Sequence, residues 1–155
     1  MDIIAALHLD WPNLIGGFLL GSTGAYAAHI LYDRRQTAAL ASRLRKRYGK
    51  LARAYSNYRP DGSATGGSVQ LTQKPDGSFE IVGLNLDRTV DWESVLRMDE
   101  KIENLGTAYY RYKPGKNHGV QYIRYAPETD ELHVKGVRQS AGPPLEFHHI
   151  WRPKS

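Results

Sequence analysis

Three hydrophobic patterns follow one another along the chain. From Trp11 to Tyr32 there are twenty-two residues without a charge, counting His29 as neutral, and about twenty helical residues suffice to cross the hydrocarbon of a bilayer. The stretch predicts a transmembrane helix over residues 11–32, with Trp11 and Tyr32 where aromatic rings settle at the membrane–water boundary. A buried glycine-rich helix is the alternative. Ala25 and Ala27 also form the A-x-A pattern of a cleavable signal peptide, but the opening MDIIAALHLD lacks the positive charge such a peptide begins with. Residues 33–57 carry Leu40, Leu44, Leu51 and Tyr55 at near-helical spacing and read as a second, basic helix alongside the membrane, broken or kinked at Gly49. Residues 58–67, rich in Gly, Ser and Pro, read as a flexible linker.

Beyond residue 68 the period becomes two. The runs VQLTQ, FEIVGLNL, VDWESVLRMD, TAYYRY, VQYIRY, LHVKGV and LEFHHIWR alternate apolar with polar and are separated by turn chemistry such as KPDG and KPGKNH. They predict about seven strands joined in order by short loops. Residues 90–105 also fit a helix face through Val95, Met98, Ile102 and Leu105; the alternation of Trp92, Leu96 and Met98 with Glu93, Arg97 and Asp99 favours a strand over 90–99, then a turn or short helix. An open meander leaves two unpaired edges, and closure removes them. The predicted fold is mainly β: an N-terminal transmembrane helix and a basic juxtamembrane helix, then an antiparallel meander over residues 68–155 closing into a small β-barrel. In the last strand Leu145, Phe147, His149 and Trp151 share one face, and Glu146, His148, Ile150 and Arg152 the other.

Charge changes the picture through its position. The chain of 155 residues carries a net +5, which by itself suggests phosphate partners. All of the excess lies in residues 1–53, with eight basic side chains (Arg34, Arg35, Arg43, Arg45, Lys46, Arg47, Lys50, Arg53) against Asp2, Asp10 and Asp33, while residues 54–155 balance at thirteen of each sign. A neutral domain argues against DNA or RNA as partner. The basic flank predicts instead anionic lipid headgroups, at about 1 kcal/mol per basic residue near the surface. By the positive-inside rule the N-terminus then lies outside and the C-terminal domain in the cytoplasm, a single pass through a bacterial inner membrane. Gly17, Gly21 and Ala25 repeat every fourth residue and leave a nearly bare helix face, which predicts association between copies. The absence of cysteine excludes disulfides and thiolate metal sites.

Candidate chemistry concentrates in YYRYKPGKNHGVQYIRY, residues 109–125, dense in tyrosine and basic side chains. Tyrosine faces stack on rings, and guanidinium groups fork onto phosphate. Strand parity predicts that Tyr110, Tyr112, Tyr122 and Arg124 join His149 and Trp151 around one ligand pocket. The opposing reading is ordinary sheet surface, because tyrosine favours strands. His118, His133, His148 and His149 raise a metal question, but His148 and His149 point to opposite faces, and no metal or catalytic spacing is present. No metal, cofactor or catalytic residue is predicted, and a non-enzymatic protein is expected.

A helical membrane anchor feeding an aromatic-rich β-meander, with YYRYKPGK and HHIW as its nearest motifs, resembles the membrane-anchored β-barrel effectors of bacterial cyclic-oligonucleotide antiphage systems, the Cap15-like family. The resemblance lies in the order of parts across the whole chain. It implies a cytosolic barrel that binds a cyclic nucleotide and membrane helices that assemble in response to disrupt the inner membrane. Together these readings predict a membrane-anchored sensor or effector whose β domain binds a small anionic ligand and drives homo-oligomerisation. A tethered protein-binding scaffold without a ligand predicts a filled barrel, and a lipocalin-like carrier or small hydrolase an open apolar cavity or a perturbed acid–base pair.

Overall fold

The computed structural model describes residues 11–112, 117–139 and 142–154, with side chains from residue 29 onward. It divides into two units, Met1–Ala39 and Leu40–Ser155. A single helix, α1, runs over Trp11–Tyr48, with Arg45, Lys46 and Arg47 in its last turn, where cations complement the partial negative charge of the helix end. Gly49 ends it, and a 3-10 turn, Gly49–Leu51, follows. Eight strands come next: β1 Ala54–Tyr58, β2 Ala64–Gln73, β3 Phe79–Leu84, β4 Val90–Met98, β5 Leu105–Tyr112, β6 His118–Ala126, β7 Glu131–Gln139 and β8 Leu145–Pro153. Each pairs antiparallel with the next, and β1 pairs with β8 to close the barrel.

The predicted antiparallel barrel is therefore present, with residues 90–98 a strand and a turn after it. Three expectations change. The helix ends at Tyr48 rather than at residue 57, and Ala54–Tyr58 forms the eighth strand that the closure needs. Leu51 and Tyr55, which continue the helical period in sequence, reach the core from two different elements. The predicted linker 58–67 is a hairpin. In RPDGS, residues 59–63, Asp61 accepts hydrogen bonds from the backbone N–H of Ser63 at 2.8 Å and its hydroxyl at 2.6 Å, and Gly62 takes φ +85°. KPDGS, residues 74–78, repeats the arrangement with Asp76, Ser78 and Gly77, and Asp87 with Thr89 repeats it again, Arg88 occupying the left-handed position. A three-residue loop with its last residue left-handed matches the twist of the flanking strands. The receiving carboxylates titrate below the ordinary range because those hydroxyls and amides bond their charged form.

Among the described residues no helix is long and apolar enough to cross a membrane. Most of the span predicted over 11–32, and the proposed association face of Gly17, Gly21 and Ala25, lie outside the residues whose side chains are described.

The barrel interior is filled from one end. Leu51, Tyr55, Leu71, Phe79, Ile81, Leu96, Ile123, Leu132 and Val134 are fully buried in one cluster that also takes in Tyr48 from α1. Burying each such side chain stabilises the fold by about 1.5–3 kcal/mol. At that end Tyr48 accepts a hydrogen bond from the Asn104 amide at 3.1 Å, Arg47 pairs with Glu103, and Arg53 pairs with Asp130 at 2.6 Å. Gly77, at φ +84°, brings its backbone against Ala41 and Leu44, where a Cβ would stand 3.1 Å from that of Leu44. The last turns of the helix thus cap one mouth.

Candidate functional site

The other mouth is built differently. Inward-facing positions at the far ends of the strands bring Asn57 of β1, Trp92 of β4, Tyr112 of β5, Gln121 of β6, Arg138 of β7 and Phe147, His149 and Trp151 of β8 around a cavity of about 250 Å³. Asn57, Trp92, Tyr112 and His149 also line a wider depression of about 600 Å³ toward the rim, with Asn85, Asp87 and Asp91 among its other walls. The β1–β2 and β3–β4 hairpin turns stand at this rim.

Aromatic rings form the wall. Trp92 lies 6.0 Å from Trp151 and edge-on to Tyr110 at 5.9 Å; Tyr110 meets Tyr112 at 5.6 Å and Phe147 at 5.9 Å, both edge-on. Such pairs contribute about 0.5–1.5 kcal/mol beyond area burial. Glycine makes them fit. Gly83 faces Trp92 across the β3–β4 ladder, and any Cβ there would overlap the indole nitrogen; Gly136 does the same for the Phe147 ring, whose Cζ would be 2.6 Å away. The Tyr110 hydroxyl donates to the Val137 carbonyl at 3.3 Å, and burial pushes its pKa up to about 12.

The polar groups are less well provided for. Asn57 Oδ1, Gln121 Oε1, His149 Nδ1 and Trp151 Nε1 are buried without a hydrogen-bond partner, four of the seven such side-chain atoms among the described residues, and all four belong to residues that line this one cavity. A buried polar atom left unpaired costs about 1–3 kcal/mol. Residues with unpartnered polar atoms thus concentrate around this cavity. The amide oxygens accept and the indole N–H donates, so a ligand needs donors and an acceptor on one edge. Burial holds the His149 imidazole below its ordinary pKa, against a hydrogen bond to the Tyr58 backbone that raises it; it is neutral at pH 7 and its open nitrogen accepts or donates as the tautomer dictates. Arg138 supplies positive charge, its guanidinium 5.9 Å above the Tyr112 ring. Asp91 sits at the rim with its pKa raised by burial, which the nearby Arg138 opposes.

Of the residues predicted from strand parity, Tyr112, His149 and Trp151 line the cavity and Tyr110 supports its aromatic wall. Tyr122 and Arg124 face outward, with Tyr122 56% exposed. The register explains the difference: Tyr110 pairs with Gly119 and Thr107 with Tyr122, so odd positions of β6 face inward where even ones do on β5. Gln121, which that parity brings inside, was not predicted; nor were Asn57, Trp92, Arg138 and Phe147. Phe147 and Trp92 carried a signal, as they share the inward alternation of His149, Trp151 and Leu96. Asn57 carries none, because its segment continues the helical spacing of Leu40, Leu44, Leu51 and Tyr55. Among the described residues no three His, Asp or Glu side chains converge as metal ligands. The cavity can stack a planar ring, read its polar edge and attract negative charge. No protein family, no characterised protein and no solved structure matches the chain.

Proposed function

We propose that the barrel is a receptor for a small, planar, anionic ligand and that the chain as a whole is a membrane-anchored sensor or effector. The observation that carries the first half is that four residues with unpartnered buried polar atoms, an aromatic wall and Arg138 line one cavity. A tethered scaffold without a ligand would have no use for it and is better served by a filled barrel. The volume of about 250 Å³ suits one heterocycle rather than a whole dinucleotide, so a larger ligand such as a cyclic nucleotide seats one base inside, where Arg138 is part of the wall. Supporting the second half are the uncharged stretch from Trp11 to Tyr32 and the basic flank beyond it. The last turns of α1 share the hydrophobic core with Trp151, which gives ligand-dependent packing a route to the helix.

The test is a titration of the full-length protein in detergent with mononucleotides, cyclic mononucleotides and cyclic dinucleotides, followed by calorimetry and by quenching of tryptophan fluorescence. Saturable binding is expected for at least one member. Arg138→Ala should weaken it by roughly 10- to 100-fold, the loss of one charge-assisted contact of about 1.5–3 kcal/mol. Silence across the panel, with the protein folded, removes the ligand reading; extraction of the full chain into the aqueous fraction without detergent removes the membrane one.

A further inference from the structure

Strand β4 carries one residue more than its partner at the open mouth. Gly83 pairs with Trp92 and Leu84 with Val90, so Asp91 between them has no partner on β3, and the pairing of β4 with β5 stops at Trp92. Asp91 is the bulged residue. Strict alternation would turn it outward, because its neighbour Trp92 faces the interior. A bulge re-aims the side chain it adds, and bulges gather at barrel rims and beside functional sites. Here it brings Asp91 into the wall of the wider depression, together with Asn57, Trp92, Tyr112 and His149.

The fold makes no use of the carboxylate placed there. In the adjoining turn Asp87 receives the amide and hydroxyl of Thr89, whereas Asp91 makes no hydrogen bond or ion pair among the described residues; Arg138 on β7 offsets its charge without pairing to it. Burial raises its pKa, yet its oxygens are not among the unpartnered atoms shut away from solvent. A carboxylate that is partly dry and unpaired disfavours its own charged form. Simple alternation would have left it in water.

Charge and size decide what this group meets. An ionised carboxylate only accepts hydrogen bonds, and it repels phosphate, so the negative part of a ligand belongs nearer Arg138 in the cavity wall. The cavity of about 250 Å³ accounts for one ring. Whatever passes Trp92 and Tyr112 into the depression of about 600 Å³ meets Asp91, and it binds there through O–H or N–H donors. On a nucleotide the group attached to the ring is the sugar, and an acidic side chain on a ribose hydroxyl is how dinucleotide-binding folds hold it. Resting on the receptor reading above, we propose that Asp91 is a specificity-determining residue that accepts a hydrogen bond from a sugar hydroxyl of the ligand. The barrel then selects ribonucleotides over their 2′-deoxy counterparts.

The test uses the full-length protein in detergent and matched probes that differ by a hydroxyl: cyclic mononucleotides and cyclic dinucleotides, each beside its 2′-deoxy form. The unmodified protein should bind the ribo member of a pair roughly 10- to 100-fold more tightly, the range for a hydrogen bond to a charged group. Asp91→Ala should bring the ribo form down to the affinity of the deoxy form and leave the deoxy form unweakened, a change of ratio that mere loosening of the mouth does not produce. Asp91→Asn keeps the size and an acceptor oxygen without the charge, and its preference should fall between the two. Equal affinity for both members of every pair in the unmodified protein, or an Asp91→Ala variant that weakens both members alike, overturns the assignment and leaves the receptor reading in place. Absence of binding by every probe removes the receptor reading, and the assignment with it.

Discussion

The two mouths of the barrel are made from the same strands and the same alternation, yet they are opposite in chemistry. At the mouth capped by α1, apolar side chains meet in a closed cluster, Tyr48 accepts from Asn104 and Arg47 pairs with Glu103, while Arg53 pairs by charge with Asp130 although its Nη2 lacks hydrogen-bond geometry. At the other, rings line an opening and four polar atoms find no partner. The closed mouth secures the fold, and the open one keeps polar groups buried without partners, which on the proposed reading a ligand satisfies. Evolved sites commonly depart from the rules of stable packing in this way.

That contrast can be broken at either end. The largest effect is expected from Leu51→Ala, which removes a fully buried side chain beneath the helix; chemical denaturation should show a loss of about 3 kcal/mol, with ligand binding of the remaining folded protein unchanged. Next comes Gly83→Ala, whose new methyl group must displace Trp92. A cost of about 2 kcal/mol is expected from overpacking, and here binding should fail as well, because the indole is driven into the cavity. If binding survives, Trp92 is not part of the site. Smaller, and opposite in sign, is Gln121→Leu. Removing the unpartnered buried Oε1 in favour of an apolar group of similar volume should stabilise the protein by about 1 kcal/mol while abolishing binding, and a destabilised variant would show that Gln121 is a structural residue after all.

The smallest effect separates the mouths by pH. The folded His149 imidazole titrates below its ordinary 6.5, chiefly through burial, so the unfolded chain takes up the proton first and stability falls as pH drops below about 6.5. Asp130 at the closed mouth is shifted downward, first by its hydrogen bond from Arg53, so its contribution is present above the ordinary 3.8 and is lost only as pH falls through its lower folded value. Between these windows the decline belongs to the histidines. His148 on the outer wall shifts in the same direction, and His149→Gln should remove the open-mouth share of the slope; an unchanged slope would place the effect on His148.

The strands were legible because each alternates strongly and is bounded by a turn. Seven of the eight could be placed from that alternation, and the need to close the sheet followed from its exposed edges. The eighth, AYSNY at residues 54–58, is too short to set its own period and continues the spacing of the helix before it. A further signal was available: RPDGS at 59–63 repeats KPDGS at 74–78, and a segment that duplicates a hairpin turn is itself a hairpin turn. The site was half legible. His149 and Trp151 fall inside by alternation along one strand, which sequence supplies, whereas Tyr122 and Arg124 were placed by comparing parity across two strands. That comparison depends on the register of the β5–β6 hairpin, where Arg111 pairs with His118, and a shift of one residue turns every side chain to the other face.

Sequence alone, then, determined the run of strands beyond residue 68, the side of each that is apolar and the concentration of positive charge before residue 54, since all three are local properties of neighbouring side chains. Tertiary structure decided which faces point inward together, that the end of α1 stops one mouth and that Asn57, Gln121, His149 and Trp151, each with an unpartnered polar atom, meet at the other. Those facts depend on register and closure, which are set by contacts between residues up to a hundred positions apart in the chain, such as Tyr55 with Pro153.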